Sequence, residues 1–196
     1  MMQKKTPLEP EHYYHIYNHA NGFENFFIDN HDYQKFLNYY IKYIVPICET
    51  FVYCLMPNHF HFFVRIKPEN ELIETLKINK ETGKIETETI SYRFSHFFNS
   101  YAQSYNKKYQ RSGSLFQSTF ERKPVKTEKY FVKLVHYIHS NPVIDGFVEK
   151  IEHWEHSSYN AFFLNTEAFI SKAIVIEYFS DLENFKLIHQ NSFKIE

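Results

Sequence analysis

Every second residue from Phe60 to Ile66 is apolar in the stretch 57–66, which reads Pro-Asn-His-Phe-His-Phe-Phe-Val-Arg-Ile. Consecutive side chains of a β-strand point to opposite faces, so this alternation predicts a strand with one fully apolar face. That face carries Phe60, Phe62, Val64 and Ile66. The opposite face carries His59, His61, Phe63 and Arg65. Two neutral imidazoles at this spacing can ligate one metal ion, and a hydrogen-bonded surface pair is the plainer interpretation.

Two more strands and a helix are predicted around this one. Residues 13–18 are rich in aromatics and precede the turn sequence Asn21-Gly22, which predicts a first strand. Residues 47–56 are apolar on both faces, which predicts a strand in the middle of the sheet, followed by a tight hairpin. Between them, Asp29 or Asn30 can cap a helix that ends at Pro46. Its apolar stripe is Tyr33, Phe36, Leu37, Tyr40, Ile41 and Ile44.

Two amphipathic helices are predicted in the second half of the chain. The first begins near Ile90 and carries on one side Phe94, Phe97, Phe98, Tyr101 and Tyr105. Thr127 can cap the second, whose apolar members are Tyr130, Phe131, Leu134, Val135 and Ile138. Residues 68–89 are polar and predict a linker that carries little chemistry. Residues 106–113 predict a basic loop, and residues 114–120 predict the fourth strand.

The predicted order is β-α-β-β-α-β with an added helix, which is the ferredoxin-like arrangement of an α+β fold. Both crossover helices then cover one sheet face, and the added helix can pack on the other, beside His59 and His61. We therefore expect one domain over residues 1–160, with a polar excursion at 70–89. Residues 161–196 are predicted to be a helical extension of the same domain, because no Gly-, Ser- or Pro-rich linker separates them.

Basic residues are concentrated in one stretch of a chain with a formal net charge of −1. Residues 101–133 hold eight basic and two acidic side chains, a local charge of +6, and the remaining 14 basic and 21 acidic side chains give −7. Such a block is the footprint expected where a phosphate backbone binds, and a solvated charged face is the alternative. The 21 Phe and 16 Tyr mainly serve core packing, and surplus tyrosines can stack on unpaired bases.

Several other classes of protein find no support in the sequence. Cys48 and Cys54 lie in one apolar run and indicate a reducing compartment rather than a disulfide framework. No apolar run reaches about 18 residues, and residues 1–10 lack a signal-type apolar region, so we expect a cytoplasmic protein that does not bind membranes. No Gly-x-x-x-x-Gly-Lys-Ser/Thr loop occurs, so no nucleotide cofactor is expected.

The last predicted helix carries a second group of candidate residues. Lys133, Tyr137 and Asn141 are spaced four apart and form one row at the border of the apolar stripe. Pro142 disfavours helical geometry at the residue before it, so we expect Asn141 to end the helix and turn its amide oxygen toward an ion. A phenol with a pKa of about 10 is a weak nucleophile at neutral pH, so we expect Lys133 to favour the Tyr137 phenolate. An interfacial core tyrosine is the alternative.

Four motifs follow one another along the chain. They are Met-Pro-Asn-His-Phe-His at 56–61, Arg-Ser-Gly-Ser-Leu-Phe-Gln at 111–117, Tyr-Ile-His-Ser-Asn-Pro at 137–142 and Trp-Glu-His-Ser-Ser-Tyr at 154–159. In this order they resemble the single-tyrosine HUH transposases, above all the branch related to REP-associated tyrosine transposases. The resemblance runs from about Tyr13 to Tyr159. It implies a ferredoxin-like domain that nicks and rejoins single-stranded DNA, with DNA hairpins as substrate.

The resemblance also implies residue roles. Tyr137 matches the nucleophile, His59 and His61 match the metal ligands, and Asn141 matches the third ligand. We expect the ion to be Mg²⁺ or Mn²⁺, because the substrate is a phosphate. Attack by Tyr137 would give a 5′-phosphotyrosine linkage and a free 3′-hydroxyl, and rejoining would need no ATP. A homodimer stays open, because in some relatives the tyrosine helix completes the site of the neighbouring copy.

Basic side chains are the expected DNA contacts. Arg65 lies on the histidine face and is expected to steer the strand near the cut, and the basic block is expected to hold phosphates. The candidates in the block are Lys107, Lys108, Arg111, Arg122, Lys123 and Lys126.

Two functions of other classes remain as alternatives. In a zinc-dependent hydrolase, His59 and His61 would activate a water and Tyr137 would be dispensable. The spare histidines that favour this alternative are His96, His136 and His139. In a nucleic-acid-binding module, the same site would no longer react.

Overall fold

The computed structural model of the chain describes residues 6–76, 87–117, 119–164 and 169–190. Its first elements are β1 Tyr13–His19, α1 Asn30–Tyr43, β2 Cys48–Met56, β3 His59–Ile66, α2 Glu69–Leu76, α3 Thr87–Lys108, β4 Glu121–Val125 and α4 Glu128–Ile144. Short 3-10 helices at Ile151–His153 and Asn160–Phe163 precede α5 Lys172–Tyr178 and α6 Leu182–Gln190. The strands form one antiparallel sheet in the order β2-β3-β1-β4. The α+β ferredoxin-like fold is thereby confirmed.

The sheet has an apolar core on each face. One core contains side chains of α1, α3 and the even positions of β3, including Phe36, Tyr40, Phe60, Phe62 and Phe97. The other contains side chains of α4, α5, α6 and the remaining sheet face, including Phe51, Phe63, Phe131, Val175 and Phe185. Each fully buried phenylalanine contributes about 1.5–3 kcal/mol relative to an exposed one. Both faces of β3 are therefore packed against core side chains, and this packing fixes the sheet face on which its histidines lie.

The predicted helix starts are confirmed at α1 and α4. The Asp29 carboxylate accepts a hydrogen bond from the Asp32 backbone N–H at 3.1 Å, and the Asp32 carboxylate accepts one from the Asp29 N–H. The Thr127 hydroxyl accepts a hydrogen bond from the Tyr130 N–H at 3.2 Å. These side chains satisfy backbone donors that a helix leaves unpaired in its first turn.

The prediction for the fourth strand is wrong. Residues 114–117 form only an isolated bridge, between Phe116 and Ala20, and the strand is β4 Glu121–Val125. The apolar residues of this stretch that suggested a strand, Leu115 and Phe120, instead fill the core beneath α3. β4 is polar because it is an edge strand, where Pro124 is tolerated and few side chains are buried.

The strand predicted for the middle of the sheet is also misplaced, because β2 lies at the opposite edge. Its two faces are apolar since each faces one of the two cores. The outer side of β2 is covered by later parts of the chain. The Ser158 N–H donates to the Tyr53 carbonyl at 2.9 Å, and the Ser171 N–H donates to the Thr50 carbonyl at 2.8 Å. An edge that would otherwise expose unpaired backbone groups is thus closed.

The polar stretch 68–89 is not a simple linker. It includes helix α2, whose Leu72 is fully buried, and the start of α3. Residues 77–86 of this stretch lie outside the described residues, as do residues 165–168 and 191–196 of the predicted C-terminal extension. The predicted basic loop at 106–113 begins later than expected, because α3 continues to Lys108. Within the described ranges, no helix is long and apolar enough to cross a bilayer.

Candidate active site

A cavity of about 580 Å³ lies between the sheet and helix α4. Its wall includes all five residues predicted to be catalytic or metal-binding: His59, His61, Lys133, Tyr137 and Asn141. The histidines enter from β3, because strand alternation directs them to the face on which α4 packs. The rings of His61 and Tyr137 meet edge to face, with centroids 5.6 Å apart. The structure thus brings together residues that are about 80 positions apart in the sequence.

The His59 imidazole is held in one orientation. Its Nδ1 lies 2.8 Å from the Asn58 side-chain oxygen, which can only accept a hydrogen bond, so Nδ1 carries the proton. The other ring nitrogen, Nε2, is then unprotonated and has a free lone pair. It lies on the cavity side, 3.7 Å from a carboxylate oxygen of Asp145. This tautomer is the one that can bind a metal ion through Nε2.

Both imidazoles of the pair are neutral at physiological pH. Burial lowers the pKa of His59, and the neighbouring His19 lowers it further, while Asp145 acts in the opposite direction. Burial holds the pKa of His61 well below its ordinary value, and the nearby His15 and His59 add to this effect. Neutral imidazoles keep the lone pairs that a metal ligand needs.

The position predicted for Asn141 is wrong in one respect. Helix α4 does not end there but passes through Pro142 to Ile144, and the Asp145 N–H still donates to the Asn141 carbonyl at 2.9 Å. Pro142 has no backbone N–H, so it removes one hydrogen bond of the helix. The packing of the buried residues of α4 holds the helix together across this gap. The Asn141 amide nitrogen donates to the Tyr137 carbonyl at 2.8 Å, which leaves its side-chain oxygen for the cavity.

The Tyr137 phenol is a weaker acid here than in water. Burial raises its pKa, while a hydrogen bond from Asn141 and the charge of Lys123 lower it. Asp145 raises it as well. Lys133, the residue predicted to favour the phenolate, lines the same cavity, and its role stays a prediction.

Sequence reasoning missed four polar cavity residues: His15, His19, Tyr17 and Asp145. The signal for the first two was present, because His15 and His19 alternate with Ile16 and Asn18 along β1. In the antiparallel pair, His19 lies directly opposite His59 and Tyr17 lies opposite His61. No local pattern indicates Asp145, which follows the last turn of α4.

Four of the predicted DNA-contacting residues already bind other side chains of the protein. Arg65 is paired with Glu49, and Arg111 is paired with Glu24. Lys108 contacts the carboxylates of Asp29 and Asp32. Arg122 is partly buried over the Phe120 ring and donates to the Ser91 hydroxyl at 2.8 Å.

The three other predicted contacts, Lys107, Lys123 and Lys126, are exposed. Lys123 lies on β4 and lines the cavity, with its ammonium 5.5 Å from the Tyr17 ring centre. This places a flexible positive charge at the cavity wall.

The spare histidines named for the zinc alternative do not join the pair. His96 belongs to α3, on the other face of the sheet, and His139 is buried between Ser158 and His189. His136 contacts Ser140 on its own helix and faces His189. Among the residues described, no three His, Cys, Asp or Glu side chains form a ready metal cluster.

The chain is similar to known proteins both in sequence and in fold. No protein-family model matches the chain. A Haemophilus influenzae protein named "Putative REP-associated tyrosine transposase" is 27% identical over 115 residues, which are 57% of this chain and 59% of that protein. The chain therefore matches about three fifths of that relative's length.

A solved structure gives the second comparison. It is titled "Structure of the REP associates tyrosine transposase bound to a REP hairpin", and it shares 15% sequence identity with this chain. The TM-score is 0.61, over 83% of this chain and 86% of the other. At this identity the match establishes the common fold. Together with the sequence match, it confirms the resemblance: the chain is similar to REP-associated tyrosine transposases in sequence and in fold.

Proposed function

We propose that this protein nicks and rejoins single-stranded DNA at hairpins, through a covalent bond between Tyr137 and the DNA. The observation that carries the proposal is the cavity that Tyr137 shares with His59, His61 and Asn141. A structural relative bound to a REP hairpin supports hairpin DNA as the class of substrate. A core tyrosine alone would not account for two neutral imidazoles on the opposite wall.

The reaction is a transesterification. The Tyr137 oxygen attacks the phosphorus of a phosphodiester, a bond forms between them, and the bond to the 3′ oxygen breaks. The phenol loses its proton to solvent, and the departing 3′ oxygen gains one. The 5′-phosphotyrosine retains the bond energy, so the reverse attack by a 3′-hydroxyl rejoins DNA without ATP.

His59, His61 and Asn141 are the residues that would hold a divalent metal ion, Mg²⁺ or Mn²⁺. Their chemistry fits, because they offer two neutral imidazoles and one amide oxygen at one cavity wall. When bound, the ion would polarise a phosphoryl oxygen and orient the scissile bond. Lys123 and Lys133 are proposed to offset the raised pKa of Tyr137, since both line the cavity.

DNA binding is proposed to involve the exposed lysines first. Lys107, Lys123 and Lys126 can approach phosphates without breaking an ion pair that the structure records. Arg65, Lys108, Arg111 and Arg122 would have to share or exchange their internal contacts.

The test is formation of a covalent adduct. Native protein is incubated with a labelled single-stranded hairpin and Mn²⁺, and the products are separated under denaturing conditions. We expect a labelled protein band that is lost in Tyr137→Phe and retained in Tyr130→Phe, which removes a hydroxyl from the same cavity wall.

Other outcomes reject the proposal in different ways. DNA cleavage without an adduct, unchanged in Tyr137→Phe, would indicate the hydrolase. Hairpin binding without cleavage by the native protein, with either metal ion, would indicate a binding module.

A further inference from the structure

We propose that His15 is a positioning residue for the metal site, which orients the His61 ring and selects the ring nitrogen that carries its proton. This inference rests on the proposed function, because it gives His61 the role of a metal ligand. Its basis is a contact between two strands: His15 Nε2 lies 2.9 Å from His61 Nδ1. Both side chains are buried, with exposed fractions of 6% and 4%.

The contact follows from the register of the sheet. Tyr17 on β1 lies opposite His61 on β3, so His15 is the diagonal neighbour of His61 on the same face. Diagonal neighbours on one face are within reach of ring side chains. The two rings lie 5.0 Å apart at an angle of 32°, and the His15 ring also meets the edge of Tyr137.

One proton lies between the two nitrogens, and its location decides what His61 can do. If His61 Nδ1 donates to His15 Nε2, then His61 Nε2 has a free lone pair for a metal ion. If His15 donates instead, the neutral His61 ring carries its proton on Nε2 and cannot ligate there. Binding through His61 Nε2 therefore requires His15 to act as the acceptor.

The second histidine of the pair has a corresponding partner. The Asn58 oxygen accepts the proton of His59 Nδ1 at 2.8 Å. Each proposed ligand thus has a group on its Nδ1 side, one from the adjacent residue and one from another strand. Outer partners of this kind fix the tautomer and orientation of metal-bound histidines, and their loss typically weakens metal binding by about 10- to 100-fold.

The test measures metal binding without any DNA reaction. Mn²⁺ is titrated into native protein, His15→Phe and His15→Gln, and the affinity is obtained by calorimetry or from the signal of free Mn²⁺ in electron paramagnetic resonance. His15→Phe keeps a ring but removes the acceptor, so we expect about 10- to 100-fold weaker binding. His15→Gln restores an acceptor oxygen, so we expect binding within a few-fold of native. His156→Phe is the control, because His156 stacks on Tyr33 outside the cavity.

A measurement on the native protein covers the case in which a variant does not fold. Nitrogen-15 NMR with saturating Mg²⁺ reports which nitrogen of His61 carries the proton. We expect a protonated Nδ1 coupled across the hydrogen bond to His15 Nε2. An unprotonated Nδ1, or equal Mn²⁺ affinity in folded His15→Phe and native protein, would overturn the assignment.

The results also separate this inference from the proposed function. Weak Mn²⁺ binding in His15→Phe, together with no covalent adduct in native protein, would keep the positioning role and reject the nicking reaction. An adduct in native protein, with unchanged Mn²⁺ affinity in His15→Phe, would do the reverse.

Discussion

The charge that faces the proposed nucleophile comes from an unexpected residue. Helical spacing pointed to Lys133, one turn before Tyr137, and its role stays a prediction. The charge of Lys123 on β4, which the helical spacing did not indicate, lowers the pKa of the phenol. The two lysines line one cavity, from a strand and from a helix. Loss of an attractive charge would raise the pKa of Tyr137 further and leave less phenolate at a given pH.

Replacement of each lysine in turn tests this effect. Lys123→Met is expected to move the pH dependence of adduct formation to higher pH, because an attractive charge is lost. A shift of about 0.5 pH unit would reduce the phenolate at pH 7 about threefold. The rate of adduct formation, measured at a series of pH values in single-turnover conditions, gives the shift. Lys133→Met is the matched variant, and unchanged profiles in both would exclude charge stabilisation by either lysine.

A chain of buried hydrogen bonds joins helices α4 and α6 to the edge of the sheet. The His189 Nδ1 donates to the Phe185 carbonyl at 2.7 Å, so its Nε2 must accept from His139 Nδ1 at 2.9 Å. The His139 Nε2 then accepts from the Ser158 hydroxyl at 2.8 Å. Ser158 in turn accepts from the Tyr53 N–H on β2 at 2.9 Å. The bond between the two rings requires a neutral His189, because only an unprotonated Nε2 can accept, and the bond that Ser158 donates requires a neutral His139.

We therefore expect this connection to make the fold sensitive to acid. Burial lowers the pKa of His189 to about 3 and holds that of His139 well below its ordinary value, with His136 adding to both effects. Histidines of the unfolded chain have a pKa near 6.5, so below that pH the unfolded state binds more protons. Stability is then lost as pH falls from about 6.5, by up to about 1.4 kcal/mol per pH unit for each histidine.

Urea unfolding at pH 7.5, 6 and 5 measures this dependence. His139→Phe is expected to lower stability at pH 7.5 by about 1–3 kcal/mol, because Ser158 and His189 lose their partner. The same variant is expected to show a smaller decrease on acidification than the native protein. An equal decrease in both proteins would mean that His139 is not held neutral in the fold.

One copy of the chain brings both halves of the proposed site together. β3 and α4 of the same chain face each other across the cavity, and the rings of His61 and Tyr137 are in contact distance. A dimer with exchanged tyrosine helices is therefore not needed to complete the site.

A mixing experiment tests this arrangement. Tyr137→Phe and His59→Ala proteins are each expected to form no adduct, and an equimolar mixture is expected to form none either, because neither chain holds a complete site. Adduct formation is followed with the labelled hairpin, and native protein diluted with Tyr137→Phe is the control. Recovery of adduct in the mixture would show that the tyrosine acts on the site of another copy.

Local patterns determined much of this protein. The alternation of side chains along a strand determined the sheet face of His59 and His61. Capping residues determined the starts of α1 and α4, and the order of strands and helices indicated the ferredoxin-like fold. Each of these depends on residues that are close in sequence, where strand and helix geometry alone fix the direction of a side chain. The same local reasoning placed Lys133, Tyr137 and Asn141 in one row.

Tertiary structure decided the rest. Packing against distant parts of the chain decides which strands lie at the edges of the sheet. It also decides that β4 is Glu121–Val125 and that α4 continues past Pro142. The contact of His15 with His61 and the effect of the Lys123 charge on Tyr137 depend on the register between strands and on the position of α4. Such interactions join residues that are far apart in sequence. They form only when both cores have packed and brought these residues together, so no local pattern could specify them.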